Sequence, residues 1–99
     1  MGKRDRTVAY QGYGKAFPRH KTFRGYNTDY RTIAVDPRQI PYGSRVYING
    51  TGPYIAEDTG GAIRGRRLDI YFGDGAEAYR EAIEWGRREV EVRVEGVGE

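Results

Sequence analysis

Ala56-Glu57-Asp58-Thr59-Gly60-Gly61-Ala62-Ile63-Arg64-Gly65-Arg66-Arg67-Leu68-Asp69-Ile70-Tyr71 is the stretch that decides how this chain is read. Two carboxylates stand at the edges of a glycine-broken loop. Asp58 closes an extended, partly apolar run that starts at Pro53, and Asp69 lies inside the next run, Leu68 to Phe72. Between them Gly60, Gly61 and Gly65 offer backbone freedom, including positive φ, and allow close approach of a ligand to the main chain. A third carboxylate, Asp36, ends the apolar run Thr32-Ile33-Ala34-Val35 just before Pro37. Three acids at strand ends beside bare backbone predict a site, and the rest of the chain reads as its frame.

Working outward, Thr7 to Tyr13 alternates weakly and predicts a first strand. Gly14 to Asn27, with Gly14, Pro18 and Gly25 among Lys and Arg, predicts a long surface loop or the lip of a groove. Tyr30 to Val35 is a second strand, stopped by Asp36-Pro37 because proline donates nothing to a ladder. After a turn-rich connector, Arg38 to Gly43, Ser44 to Ile48 sets Val46 and Ile48 against Arg45 and Tyr47. Asn49-Gly50 then signals a tight turn. Pro53 to Asp58 and Leu68 to Phe72 are the fourth and fifth strands.

There the period changes. Asp74-Gly75-Ala76-Glu77 has the form of a capping box, and Ala78, Ala82, Ile83 and Trp85 recur at helical spacing before Gly86. One helix, Gly75 to Trp85, is expected, with Trp85 docking it on the core. Glu89 to Glu95 is the last strand, with Val90, Val92 and Val94 on one face. Six short strands with one helix before the last are not βαβ repeats. They predict a small closed or nearly closed β barrel.

The chain has 99 residues, the length of one domain, taken here as residues 1–99 with a core over 7–95. Nine Tyr, three Phe and one Trp argue against disorder. No apolar run approaches the roughly 18 residues of a membrane span, and no signal peptide is visible. With no cysteine, disulfides, thiolate catalysis and cysteine-ligated zinc are excluded. The single histidine, His20, reads as a solvated loop residue and excludes a multi-histidine metal site. Clustered aspartates could hold a divalent cation, but no Asp-x-Asp-x-Asp spacing supports it. Neither metal nor cofactor is expected. Charge is uneven: residues 1–67 hold 13 Lys/Arg against 5 Asp/Glu, and residues 68–99 hold 4 against 9. The basic part admits a nucleic-acid or polyanion binder as the weakest reading, with an arginine-rich solubilising surface as the plain alternative.

Asp69 stands between Leu68 and Ile70, with Tyr71 on its own face of the strand. A carboxyl among apolar and aromatic neighbours loses hydration, which disfavours its charged form. Such a group can stay protonated and donate to a leaving oxygen, as glycosidic cleavage requires. The alternative is a surface aspartate salt-bridged to Arg66 or Arg67.

Ile33-Ala34-Val35-Asp36-Pro37, Ile40-Pro41-Tyr42-Gly43-Ser44, Asp58-Thr59-Gly60-Gly61-Ala62-Ile63-Arg64-Gly65 and Leu68-Asp69-Ile70-Tyr71 together resemble the three-aspartate (3D) domain. The likeness runs from about Val8 to Val94. That domain is shared by the membrane-bound lytic transglycosylase A family and by small stationary-phase survival muralytic proteins. The resemblance implies a double-psi β barrel. It also implies non-hydrolytic cleavage of the β-1,4 bond between N-acetylmuramic acid and N-acetylglucosamine in peptidoglycan. Asp69 matches the family's catalytic aspartate, and Asp58, also expected to be catalytic, would orient or tune Asp69 or hold a sugar hydroxyl. Tyr10, Thr59, Gly60, Gly61, Ala62 and Tyr71 are expected to contribute to substrate binding, and Asp36 to be structural or to bind substrate. Relatives often carry a threonine before the Ala-Tyr pair, where this chain has Val8 before Ala9-Tyr10. The expected partner is a peptidoglycan glycan strand rather than nucleic acid, in an extracellular or cell-envelope setting, with the barrel as a monomer or a strand-swapped dimer. A non-catalytic wall-binding module is the alternative, with Tyr10, Tyr13, Tyr42, Tyr54 and Tyr71 as stacking faces.

Overall fold

Alternation of apolar and polar residues builds most of the frame. In the computed structural model, which describes residues 7–16, 31–73 and 75–97, six strands and a helix follow in order. They are β1 (Val8–Lys15), β2 (Arg31–Val35), β3 (Ser44–Ile48), β4 (Thr51–Asp58), β5 (Arg67–Tyr71), α1 (Ala76–Trp85) and β6 (Arg87–Val97). The strands close a barrel in the order β1-β5-β2-β4-β3-β6. Two pairs run parallel, β1 with β5 and β2 with β4, and the other neighbours are antiparallel. This is the double-psi arrangement the resemblance implies.

Inward positions carry the core. Ile33, Val35, Val46, Leu68, Ile70, Val90 and Val92 are buried together, with Tyr10 among them. Each such aliphatic side chain contributes about 1.5–3 kcal/mol relative to exposure. The turn between β3 and β4 is the expected one: Asn49 and Gly50 have φ of 50° and 80°, the positive pair that a two-residue hairpin turn demands.

Several expectations shift at the edges. β1 continues through Gly14 and Lys15, which were expected in a loop. Most of the remaining Gly14–Asn27 stretch, His20 included, lies outside the described residues. The helix begins at Ala76, and its N-cap Gly75 makes no side-chain cap bond; the proposed capping residue Asp74 lies outside the described residues. Gly86 closes the helix at φ 67°, its N–H donating to the Ala82 carbonyl. Ala78, Ala82 and Trp85 share the face turned to the barrel, whereas Ile83, off that face, is 60% exposed. Val94 is 40% exposed although Val90 and Val92 are buried. The pairing of β1 with β6 ends at Val92, so among the described residues one flank of Val94 has no neighbouring strand.

Gly14 sets how closely the helix approaches. A Cβ there would lie 2.5 Å from the Ala82 carbonyl oxygen, and its N–H donates to the Gly86 carbonyl at 2.8 Å. Bare backbone on β1 lets α1 lie directly on the strand.

Candidate active site

The alternation of β5 sends Leu68 and Ile70 into the core and leaves Arg67, Asp69 and Tyr71 on the outer face. An outward aspartate should be solvated, yet Asp69 is only 3% exposed. The loop between β4 and β5 shields it. Arg67 donates from Nε to Asp69 Oδ1 at 3.2 Å and from Nη1 to the Ala62 carbonyl at 3.3 Å. The same guanidinium lies 4.0 Å from the centroid of the Tyr13 ring. Asp69 therefore combines both readings of the sequence: it is salt-bridged, to Arg67 rather than Arg66, and it is buried rather than on the surface. A buried carboxylate needs such a countercharge. Among the described residues only Oδ1 has a hydrogen-bond partner, which leaves Oδ2 for a ligand.

Asp58 is tied to the same strand. Tyr71 donates its phenol to Asp58 Oδ2 at 3.2 Å, and the Thr59 N–H donates to Oδ1 at 2.8 Å. Burial pushes the Tyr71 phenol well above its ordinary pKa; the Asp58 charge, the bond to Asp58 and the Asp69 charge add to the rise. Tyr71 thus feels both carboxylates.

Register explains why these two acids converge. Ala34 on β2 pairs with Asp58 on β4 and with Asp69 on β5. The aspartates flank one small residue, their Cα atoms about 10 Å apart by the spacing of two strand intervals. Ala34 itself is fully buried.

Asp36, also buried, plays a different part. Arg38 donates to it from Nε at 3.0 Å, from Nη2 at 2.8 Å and from its backbone N–H at 3.0 Å, and the Gly65 N–H adds a bond of 2.7 Å. These bonds, the Arg38 side chain first, hold its carboxyl well below the usual carboxylate range. Asp36 clamps the β4–β5 loop to the end of β2. Gly65 reaches that bond at φ 65°, a conformation that suits glycine; Gly60 and Gly61, expected to share this freedom, have no positive φ.

The loop and β5 enclose a groove of about 270 Å³ lined by Thr59, Gly60, Gly61, Ala62, Asp69 and Tyr71. Lys15 and Arg67 add positive charge to its wall. A second hollow of about 410 Å³ lies beyond Thr59, Gly60 and Gly61, bordered by Asp36, Arg38 and Arg64. The groove therefore gathers six of the nine residues expected in the site, with Asp58 bonded to the Tyr71 phenol. Asp36 stands on the other side of the loop. Tyr10 points into the core, where burial raises its phenol pKa against the opposing charge of Arg66.

Lys15 and Ala34 are missing from the sequence reading, and Arg67 enters it only as a salt-bridge partner of Asp69. Lys15 pairs with Tyr71 across the parallel β1–β5 ladder. Continuing the alternation of Ala9, Gln11 and Tyr13 by one step would have put it on the same face. Among the described residues no three His, Cys, Asp or Glu side chains are grouped as metal ligands, and no helix is long and apolar enough to cross a membrane.

Known proteins resemble this chain in sequence and fold. The chain is 43% identical over 68 residues to the cell wall-binding protein YocH of Bacillus subtilis (strain 168), covering 69% of this chain and 22% of YocH. The crystal structure of MltA from Escherichia coli, a lytic transglycosylase, superposes with a TM-score of 0.55 at 30% identity, covering 69% of this chain and 24% of MltA. E. coli MltA with bound chitohexaose superposes at TM-score 0.54 and 27% identity, over 68% of this chain and 24% of MltA. The chain thus spans less than a quarter of the length of each of these proteins. Residues 31–95, which carry all three aspartates, match the family described as the 3D domain, and the chain belongs to that family.

Proposed function

We propose that this barrel is a peptidoglycan lytic transglycosylase that cuts the β-1,4 bond between N-acetylmuramic acid and N-acetylglucosamine. The observation that carries this reading is Asp69: a shielded carboxyl with one oxygen held by Arg67 and the other left for a ligand, beside a groove of glycines. The Asp69 carboxyl delivers a proton to the glycosidic oxygen as the bond from C1 breaks. The C6 hydroxyl of the muramic acid closes on C1, and its proton passes to the Asp69 carboxylate. The product is a 1,6-anhydro sugar and Asp69 is regenerated. Because the nucleophile belongs to the substrate, one acid serves where ordinary glycosidases use two.

Asp58, through its bond with Tyr71, is assigned to orienting the reacting end, and the Thr59–Ala62 backbone to holding sugar hydroxyls. Asp36 acts through the loop it clamps, and Tyr10 through the core. The MltA and YocH likenesses support a wall glycan as partner, in an extracellular or envelope setting.

A wall-binding module is the second reading, favoured by the ion pair that keeps Asp69 engaged and by the name of YocH. Incubating purified peptidoglycan with the protein and with Asp69→Asn separates the two. Anhydromuropeptides released by the parent and not by the variant support cleavage; equal pelleting of both proteins with the wall and no released product supports binding alone.

A further inference from the structure

A further hollow, of about 400 Å³ and distinct from the two beside the β4–β5 loop, opens where β5 ends and β2 begins. Its floor is Phe72 and Trp85, both packed on the core, with ring centroids 6.4 Å apart and planes at 52°. A guanidinium caps each ring: Arg31 lies 4.8 Å from the Phe72 centroid and Arg88 4.4 Å from that of Trp85. Arg88 is fixed further by an Nε bond to the Trp85 carbonyl at 3.1 Å, which leaves its two terminal nitrogens as donors. Glu81 and Glu84, one helical turn apart, line the hollow as well.

The charges are not spent on one another. The ion pairs among the described residues are Arg38–Asp36, Arg67–Asp69 and Arg93–Glu95, so none joins Arg31 or Arg88 to Glu81 or Glu84. Stacking holds each planar fork in place while its edge stays available for bidentate contact with a carboxylate. Two fixed cations and two anions around an aromatic floor suit a ligand that carries both signs. A neutral glycan would leave all four charges unmatched.

We propose that this hollow binds a short zwitterionic peptide, the stem that peptidoglycan carries on its muramic acid, with Arg31 and Arg88 taking its carboxylates and Glu81 and Glu84 its amine. This rests on the wall-substrate reading and goes beyond it to a second contact. Phe72 directly follows Tyr71, so groove and hollow lie on either side of the end of β5, neighbouring Cα atoms about 3.8 Å apart. A stem leaving a strand seated at Asp69 would pass round the end of β5 to reach the hollow.

Trp85 is the only tryptophan of the chain, so its emission reports on this hollow alone. Titrating the full chain with the free stem tetrapeptide (alanine, γ-linked glutamate, diaminopimelate, alanine) should give a saturable change in that emission. Arg31→Gln and Arg88→Gln should each weaken it about tenfold. The same peptide with its carboxylates amidated should lose binding comparably, a control that leaves the protein untouched. No saturable change, equal affinity for the amidated peptide, or indifference to both arginine variants would overturn the proposal. Chitohexaose titrated in parallel, followed by the amide chemical shifts of Thr59 to Ala62 rather than by Trp85 emission, separates the two readings. Groove shifts with no peptide binding reject the hollow and keep the glycan site; peptide binding without a glycan response does the reverse.

Discussion

Asp69 and Tyr71 stand two positions apart on one strand face, and their neighbours decide what each can do. Replacing the carboxyl proposed as proton donor should remove the proposed cleavage without unfolding the barrel. Asp69→Asn keeps an acceptor for Arg67, and its release of anhydromuropeptides should fall about 100-fold or more, checked by product mass spectrometry alongside thermal unfolding. Tyr71→Phe removes the bond to Asp58; a loss of about 1 kcal/mol in chemical denaturation is expected, with slower glycan release. Ala34 is fully enclosed between the two aspartates. Ala34→Val should destabilise by about 1–3 kcal/mol and spread the carboxylates, seen as a lowered melting temperature and reduced activity. Asp36 gives a pH signature. Its carboxyl is held below the ordinary carboxylate range, so it adds stability above the unfolded-state pKa. That stability is lost as the pH falls through the folded value. Asp36→Asn should therefore be less stable at neutral pH and show a flatter dependence below about pH 4 in acid unfolding.

Strands and helix differ in how far they could be read from the chain alone. β3 and its hairpin were legible because alternation and Asn-Gly are local signals. The end of β1 was not. Gly14 and Lys15 look like loop, and only the helix lying on Gly14 explains a glycine in a strand. Gly14→Ala tests that packing: the added methyl meets the Ala82 carbonyl, and a loss of about 1–3 kcal/mol is expected in denaturant unfolding. The helix face was legible at Ala78 and Ala82 but not at Ile83, which lies off the face the barrel covers.

The barrel as a whole is where local reading ran out. The order β1-β5-β2-β4-β3-β6 joins strands distant in sequence, and no spacing in the chain encodes which residue faces which. Three aspartates could be named as a site, but their different duties come from register. Asp58 and Asp69 flank Ala34, whereas Asp36 turns to Arg38 and Gly65. The burial of Asp69 arises in the same way, from a loop that folds back on β5.

The central claim is that the substrate's own hydroxyl, not water, displaces the leaving sugar while Asp69 handles the proton. Digestion of peptidoglycan in oxygen-18-labelled water tests it most directly. Closure by the C6 hydroxyl gives anhydromuropeptides with no label at the new terminus; labelled reducing ends, or no released fragments at all, would rule it out.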